Sequence, residues 1–215
     1  MSRSKTLLLL LVCLINGSSQ AAILRSSYGL IDTATGLEWL KLTITAGQSY
    51  NSVASGWGGF VGSGWGFASV DDVATLFTDA GGTVAPSGTD GIYQPTNYEP
   101  ARTLIGILGA TISIVNEGGE TFGVRGILGT SNYDRTHQTA YLQTTIFVHG
   151  MPSQGLLWAD GGGQDYWDWY ATPETGSFLV RAASTLSVPE PGTCTLLLIG
   201  IGLAVGISRF KRKLA

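Results

Sequence analysis

Apolar and polar positions alternate in short runs over most of the chain, and few stretches carry a helical period. In residues 69–77, Val70, Val73, Ala74 and Phe77 recur at three- and four-residue intervals, the stripe of a helix with one buried face. Ser69 and Asp72 have the spacing of a capping box that opens this helix, and Gly81-Gly82 closes it. Pro100 fits the first turn of another helix, with Leu104, Ile105 and Leu108 on one face and Gly109 as its stop. A shorter helix is expected from Thr45, capped through Gln48, to about Ala54. The other runs predict strands at 23–31 and 37–42, around the turn Asp32-Thr33-Ala34-Thr35-Gly36, and then at 122–128, 140–148, 156–160 and 177–182. No fixed-period repeat is present, so neither a solenoid nor a propeller is expected. The pattern predicts a single mixed α+β domain.

Both ends of the chain break this pattern. Arg3 and Lys5 precede an uncharged apolar run from Leu7 to Ile15, and Ser19 and Ala21 then supply the small residues of a cleavage site. Residues 1–21 are therefore expected to be a signal peptide, read by the secretion translocon and removed by signal peptidase. That run spans about 14 Å as a helix, too short for a bilayer core of about 30 Å. Near the other end, residues 192–208 carry no charge and reach nearly the length of a spanning helix. Arg209, Lys211, Arg212 and Lys213 follow at once, the basic stop that keeps such a tail in the cytoplasm. Ahead of the span, Pro189-Glu190-Pro191 cannot join a helix or a sheet centre, since each proline fixes φ and lacks a donor. It reads as an extended, accessible recognition peptide.

Pro189-Glu190-Pro191, the apolar span and the basic cluster in that order resemble the PEP-CTERM sorting signal of Gram-negative bacteria. The resemblance implies a precursor held in the inner membrane and recognised by an exosortase, a membrane-embedded transpeptidase-like protease. The enzyme would cut near the Pro-Glu-Pro and pass the ectodomain to the cell surface or the extracellular polysaccharide. The expected organisation is a signal peptide (1–21), an extracytoplasmic α+β domain (22–187) and a sorting signal (188–215). Within the domain, Gly36-Leu37-Glu38-Trp39-Leu40-Lys41 near the start and Gly176-Ser177-Phe178-Leu179-Val180-Arg181 near the end are similar to Lcl-type domains with a C-type-lectin-like fold. That resemblance implies that the two strands pair and that long loops carry any ligand site.

Composition sharpens the picture once the ends are set aside. The 215-residue chain has a formal net charge of −3, but the stretch between the two signals holds 6 Lys+Arg against 14 Asp+Glu, or −8. An acidic domain with so few basic residues excludes nucleic acid as its main partner. Both cysteines, Cys13 and Cys194, lie in the segments expected to be removed. The exported protein would then have no thiol chemistry, thiolate metal site or disulfide.

Candidate chemistry concentrates in residues 158–170. Asp160, Asp165 and Asp168, set among glycines, are oxygen ligands of the type Ca²⁺ takes, although the spacing is not that of an EF-hand. Strand alternation from Tyr166 to Tyr170 would place Tyr166, Asp168 and Tyr170 on a solvent face suited to stacking on sugars, with Trp167 and Trp169 inward as core. The plainer reading is an aromatic strand packed beside a solvated acidic loop. A second aromatic set, Trp57, Phe60, Trp65 and Phe67, threads the glycines of 56–66 and is expected to fold inward. His137 and His149 stand apart from any nucleophile motif, and the sequence shows no nucleophile elbow, metalloprotease helix or phosphate loop. The expectation is a non-enzymatic surface or matrix protein, requiring no cofactor and associated with exopolysaccharide. Alternatives are a carbohydrate- or Ca²⁺-binding lectin-like module and a polysaccharide hydrolase.

Overall fold

The computed structural model describes residues 21–84, 93–148, 150–160 and 165–184. The signal peptide, Cys13, His149, Pro189-Glu190-Pro191, the span 192–208, the basic residues 209–213 and Cys194 thus lie outside the described residues, Ala21 excepted. Residues 21–183 make one compact unit. Among the described residues no helix is long and apolar enough to cross a membrane.

The unit is mixed α+β, with two sheets. The first has the order β1-β2-β3-β11-β4 and is antiparallel throughout, formed by Ile23–Arg25, Gly29–Asp32, Leu37–Leu40, Leu179–Ala182 and Gly66–Phe67. The second is built on the long pair β6 (Gly119–Ile127) and β7 (Thr136–Phe147). On the β6 side lie β5 (Ile112–Asn116), antiparallel, and β10 (Thr175–Ser177), parallel. On the β7 side lie β8 (Gln154–Trp158) and β9 (Asp165–Trp167). The strand beginning Leu37-Glu38-Trp39 and the strand holding Leu179-Val180-Arg181 do pair, with Val180 opposite Trp39.

Two longer helices close the core. Helix α3 (Val70–Asp79) has the expected capping box: Ser69 Oγ accepts from Asp72 N–H, and the Asp72 carboxylate accepts from Ser69 N–H. Helix α4 (Tyr98–Leu108) begins before Pro100 and ends at Gly109, whose φ of 87° is the left-handed region that glycine enters without strain. Val73, Leu76 and Phe77 of α3 and Leu104 and Leu108 of α4 pack with Leu30, Trp39, Val124, Ala140, Leu142, Leu157 and Phe178 in the main core. Each fully buried aromatic there contributes about 2–3 kcal/mol through removal of apolar area from water. The opposite face of the first sheet carries a smaller core of Leu40, Val53, Trp65 and Leu179, with Phe60 and Phe67 packed against it.

Several local expectations are corrected. The run 23–31 is two strands, because Ser26 turns the chain: its backbone donates to Gly29 C=O and its hydroxyl accepts from Gly29 N–H. The run 177–182 breaks at Phe178, where the chain leaves β10 in one sheet and enters β11 in the other; Phe178 N–H donates to Ile127 and its carbonyl accepts from Ala68. Thr45 caps no helix. It ends the short helix α1 (Leu42–Thr45), and its hydroxyl oxygen accepts from Ser177 N–H at 2.8 Å. The cap of α2 (Tyr50–Ala54) is Ser49, which accepts from Ser52 N–H, while Gln48 holds the Ser52 hydroxyl. The stretch 56–66 forms two 3₁₀ turns, Trp57–Gly59 and Val61–Ser63, that fold Trp65 inward but leave Trp57 exposed.

Candidate functional site

Strand β9 pairs with the start of β7 in the register Gln138↔Asp165, His137↔Tyr166 and Thr136↔Trp167. Alternation places Tyr166 on the His137 face of the sheet, and Asp165 and Trp167 on the Gln138 face. The strand ends at Trp167, where a turn begins: Tyr170 N–H donates to Trp167 C=O at 2.8 Å. Trp167 is 53% exposed and Trp169 68%, so the expected inward face is turned to solvent. The reason lies beneath the turn. The face away from the main core offers Arg125 and His137, which bond Tyr166 and Asp168 and hold them on that side; an indole in their place would leave those groups unpaired.

Asp168 carries the turn by three ties. Its N–H donates to Arg135 C=O at 3.0 Å, its C=O accepts from Asn51 N–H at 3.0 Å, and its Oδ1 lies 2.7 Å from His137 Nδ1. The His137 and Asp168 side chains are 13% and 17% exposed, which shelters their contact from water. An ionised Asp168 only accepts, so His137 Nδ1 carries the proton. Arg135, with φ of 58°, is the non-glycine residue in the left-handed region among those described. That conformation costs on the order of 1 kcal/mol and stands at the carbonyl that receives Asp168 N–H.

The imidazole also stacks on Tyr50, with ring centroids 3.4 Å apart and planes 14° from parallel, and Tyr50 lies 4.4 Å from Phe67. Burial pushes the Tyr50 phenol above its ordinary range, and the Asp168 carboxylate pushes it further. Beside this stack Arg125 Nη1 donates to Tyr166 Oη at 3.1 Å and lays its guanidinium 4.9 Å above the Tyr141 ring, which leans on Trp158. A band of aromatic and polar side chains thus runs along the sheet face opposite the main core and ends at the exposed turn.

The three aspartates do not converge. Asp168 is engaged with His137, Asp165 lies 3.5 Å from Asn132 Nδ2, and Asp160 lines a cavity at the start of α3. Among the described residues no three His, Cys, Asp or Glu side chains gather as a metal site. The glycines and glutamine of 161–164 lie outside the described residues. His137, Tyr50, Asn51 and Arg135 were not among the expected site residues. No spacing signal could have found them, because tertiary structure assembles them: the β7–β9 pairing sets His137 and Arg135 beside the turn, and α2 brings Tyr50 and Asn51.

Residues 187–213 match the PEP-CTERM protein-sorting motif. That stretch contains Pro189-Glu190-Pro191 and the basic residues Arg209, Lys211, Arg212 and Lys213. The motif supports an exported protein that is sorted by an exosortase from a membrane-anchored precursor. No curated protein and no solved structure matches the chain, and the lectin-like resemblance of the ectodomain has no support from these comparisons.

Proposed function

We propose that the exported domain is a non-catalytic surface protein that associates with extracellular polysaccharide through Trp167, Trp169 and Tyr170. The observation that carries this reading is the pairing of exposure with rigidity: two indoles more than half exposed, on a turn tied at three points by Asp168. Large apolar side chains kept in water on an ordered element mark contact surfaces. Indole faces stack on the C–H faces of pyranose rings, and a turn already fixed loses little entropy when the polymer arrives. The sorting motif supports export, and an exported domain is one that can meet such polymers. Among the described residues His137 has Asp168 as its hydrogen-bond partner and Tyr50 across its ring, the arrangement of a tether.

Affinity electrophoresis of the mature protein through gels containing the host exopolysaccharide tests the binding. Retardation is expected for the native protein and is expected to fall at least about tenfold in a Trp167→Ala/Trp169→Ala variant with native circular dichroism. Retardation unchanged in that variant would remove the aromatic turn from the reading. Mass spectrometry of surface protein tests the processing, since a mature chain still ending beyond Lys213 contradicts cleavage at the sorting signal.

A further inference from the structure

Strand β5 stands at a border of the second sheet, and among the described residues it pairs with β6 alone. Glu117-Gly118 is a two-residue turn, which makes Asn116 and Gly119 a hydrogen-bonded pair. Such pairs alternate along antiparallel strands, so Ile114 and Ile112 also bond β6, while Ser113 and Val115 turn their N–H and C=O outward. Among the described residues no hydrogen bond reaches those outward groups.

The side chains of this edge are apolar and stand in water. Ile114 is 50% exposed, and Val115, at 69%, is more exposed than any other Val, Leu or Ile among the described residues. Residues 103–116 hold neither a charge nor a proline, the usual means of keeping an edge strand from pairing. Other edges are guarded. Strand β1 is short and carries Arg25, β4 has only two residues, and Gln94 exchanges backbone bonds with Gly155 on the free side of β8.

A row of unmet donors and acceptors takes another extended strand, and β5 is complementary to itself. About a two-fold axis at Ile114, Ser113 of one copy stands opposite Val115 of the other. Both residues turn their groups outward, so the two reciprocal pairs close every one of them. Ile114 meets its own counterpart at the axis as a close, non-hydrogen-bonded pair. Charges stay apart, because Glu117 falls opposite Thr111 rather than opposite the second Glu117; the acidic domains can therefore meet here. The second copy's Val115 also joins the cross-strand row of Ser113, Phe122 and Thr144. The last two line a largely apolar groove of about 400 Å³ beside α4, so the added valine extends an apolar surface already present.

We infer that β5 is a self-association edge, through which two copies of the exported domain join antiparallel about a two-fold axis at Ile114. The inference is independent of the aromatic turn and its polymer.

Sedimentation equilibrium of the mature protein over a range of concentrations is expected to show a reversible dimer. Val115→Lys sets a charge into the joint, and Val115→Pro removes an outward donor from each copy without touching a bond to β6. Each is expected to weaken dimerisation at least about tenfold, with the melting temperature of Val115→Lys unchanged. Leu24→Lys, on the β1 edge, is expected to leave the dimer intact. A cross-link tests the register. Cys13 and Cys194 lie in segments expected to be removed, so the thiol of Ile114→Cys stands alone in the mature chain. Opposite residues of a non-hydrogen-bonded pair lie about 4.5 Å apart at Cα, within reach of a disulfide, whereas the two Ser113 positions lie diagonally, beyond about 7 Å. Mild oxidation is expected to convert Ile114→Cys to a covalent dimer at least about tenfold faster than Ser113→Cys. A protein monomeric at every concentration overturns the inference. So does a dimer that survives both Val115 variants, one that Leu24→Lys abolishes, or one that cross-links equally at positions 113 and 114.

Discussion

Trp65 and Trp169 both sit in turns, yet one is 3% exposed and the other 68%. Around Trp65 backbone bonds close the turn, with Trp65 N–H donating to Phe60 C=O, and the packed side chains of the smaller core bury the indole. Two 3₁₀ turns and a left-handed Gly64 bring the indole over the second face of the first sheet, 4.4 Å from the Arg181 guanidinium. Tyr28 stacks on the same guanidinium at 4.7 Å and meets Trp65 edge-on, and Arg181 reaches across the strand pair to Glu38 at 2.7 Å. Around Trp169 the backbone and Asp168 hold the turn, and the aromatic side chains are released to solvent. Deleting an aromatic should therefore unfold the first region and only disarm the second.

The largest effect is expected at Arg181. Its guanidinium is the charge partner of Glu38, whose side chain is 6% exposed, and the platform for two rings. Arg181→Ala leaves a buried carboxylate without its cation, which typically destabilises by about 3–5 kcal/mol. Urea denaturation at neutral pH reads it, and a loss below about 1 kcal/mol would mean that the pair is solvated and the cluster loosely held. Trp65→Ala comes next at about 3 kcal/mol, the lower end for a buried tryptophan because the smaller core can partly collapse.

What could be read from the chain follows the range of each interaction. The Ser69/Asp72 capping box, the Gly109 stop and the turn in which Asp32 holds Ala34 N–H and the Thr35 hydroxyl all lie within four residues, and they appear as expected. Thr45 departs from the cap expected of it for the converse reason: its oxygen is taken by Ser177, 132 residues away. Strand β5 has no counterpart among the expected strands, although Ile112–Asn116 pairs along its whole length with β6, and β6 starts at Gly119, three residues before the expected strand 122–128. At the candidate site Asp168, Trp167 and Trp169 were visible by composition. Their orientation was not, because it depends on His137 lying 31 positions earlier and on Arg125 beneath Tyr166. A period-2 pattern fixes which residues share a face, but the partner surface decides which face is buried.

In the second region the order of effects should reverse between stability and binding. Asp168→Ala removes a sheltered bond to a charged group and is expected to cost about 1.5–2 kcal/mol. Hydrogen exchange should quicken at the amides of 168–170, and polysaccharide retention should fall although both indoles remain. Trp169→Ala should change stability by less than about 0.5 kcal/mol while retention falls as far or further. Were Trp169→Ala to destabilise as much as Trp65→Ala, the contrast between the two regions would be lost.

The smallest effect isolates the Asp168 charge. The Tyr50 phenol is raised above 10.0, by burial first and by Asp168 second, so the folded chain keeps a proton that the unfolded chain has begun to release. Its stabilising contribution is full below the unfolded value and is lost as pH rises through the folded one, so stability should decline on the alkaline side. Asp168→Asn removes the second cause and leaves the first. The phenol should then titrate lower than in the native protein, still above the ordinary value. Tyr141 is also raised, chiefly by burial, with Arg125 drawing it back down, so ultraviolet titration is best done in a Tyr141→Phe background with Tyr50→Phe as the blank. A Tyr50 titration indifferent to Asp168→Asn would mean that the carboxylate does not stand against the stacked rings, and the turn would need another anchor.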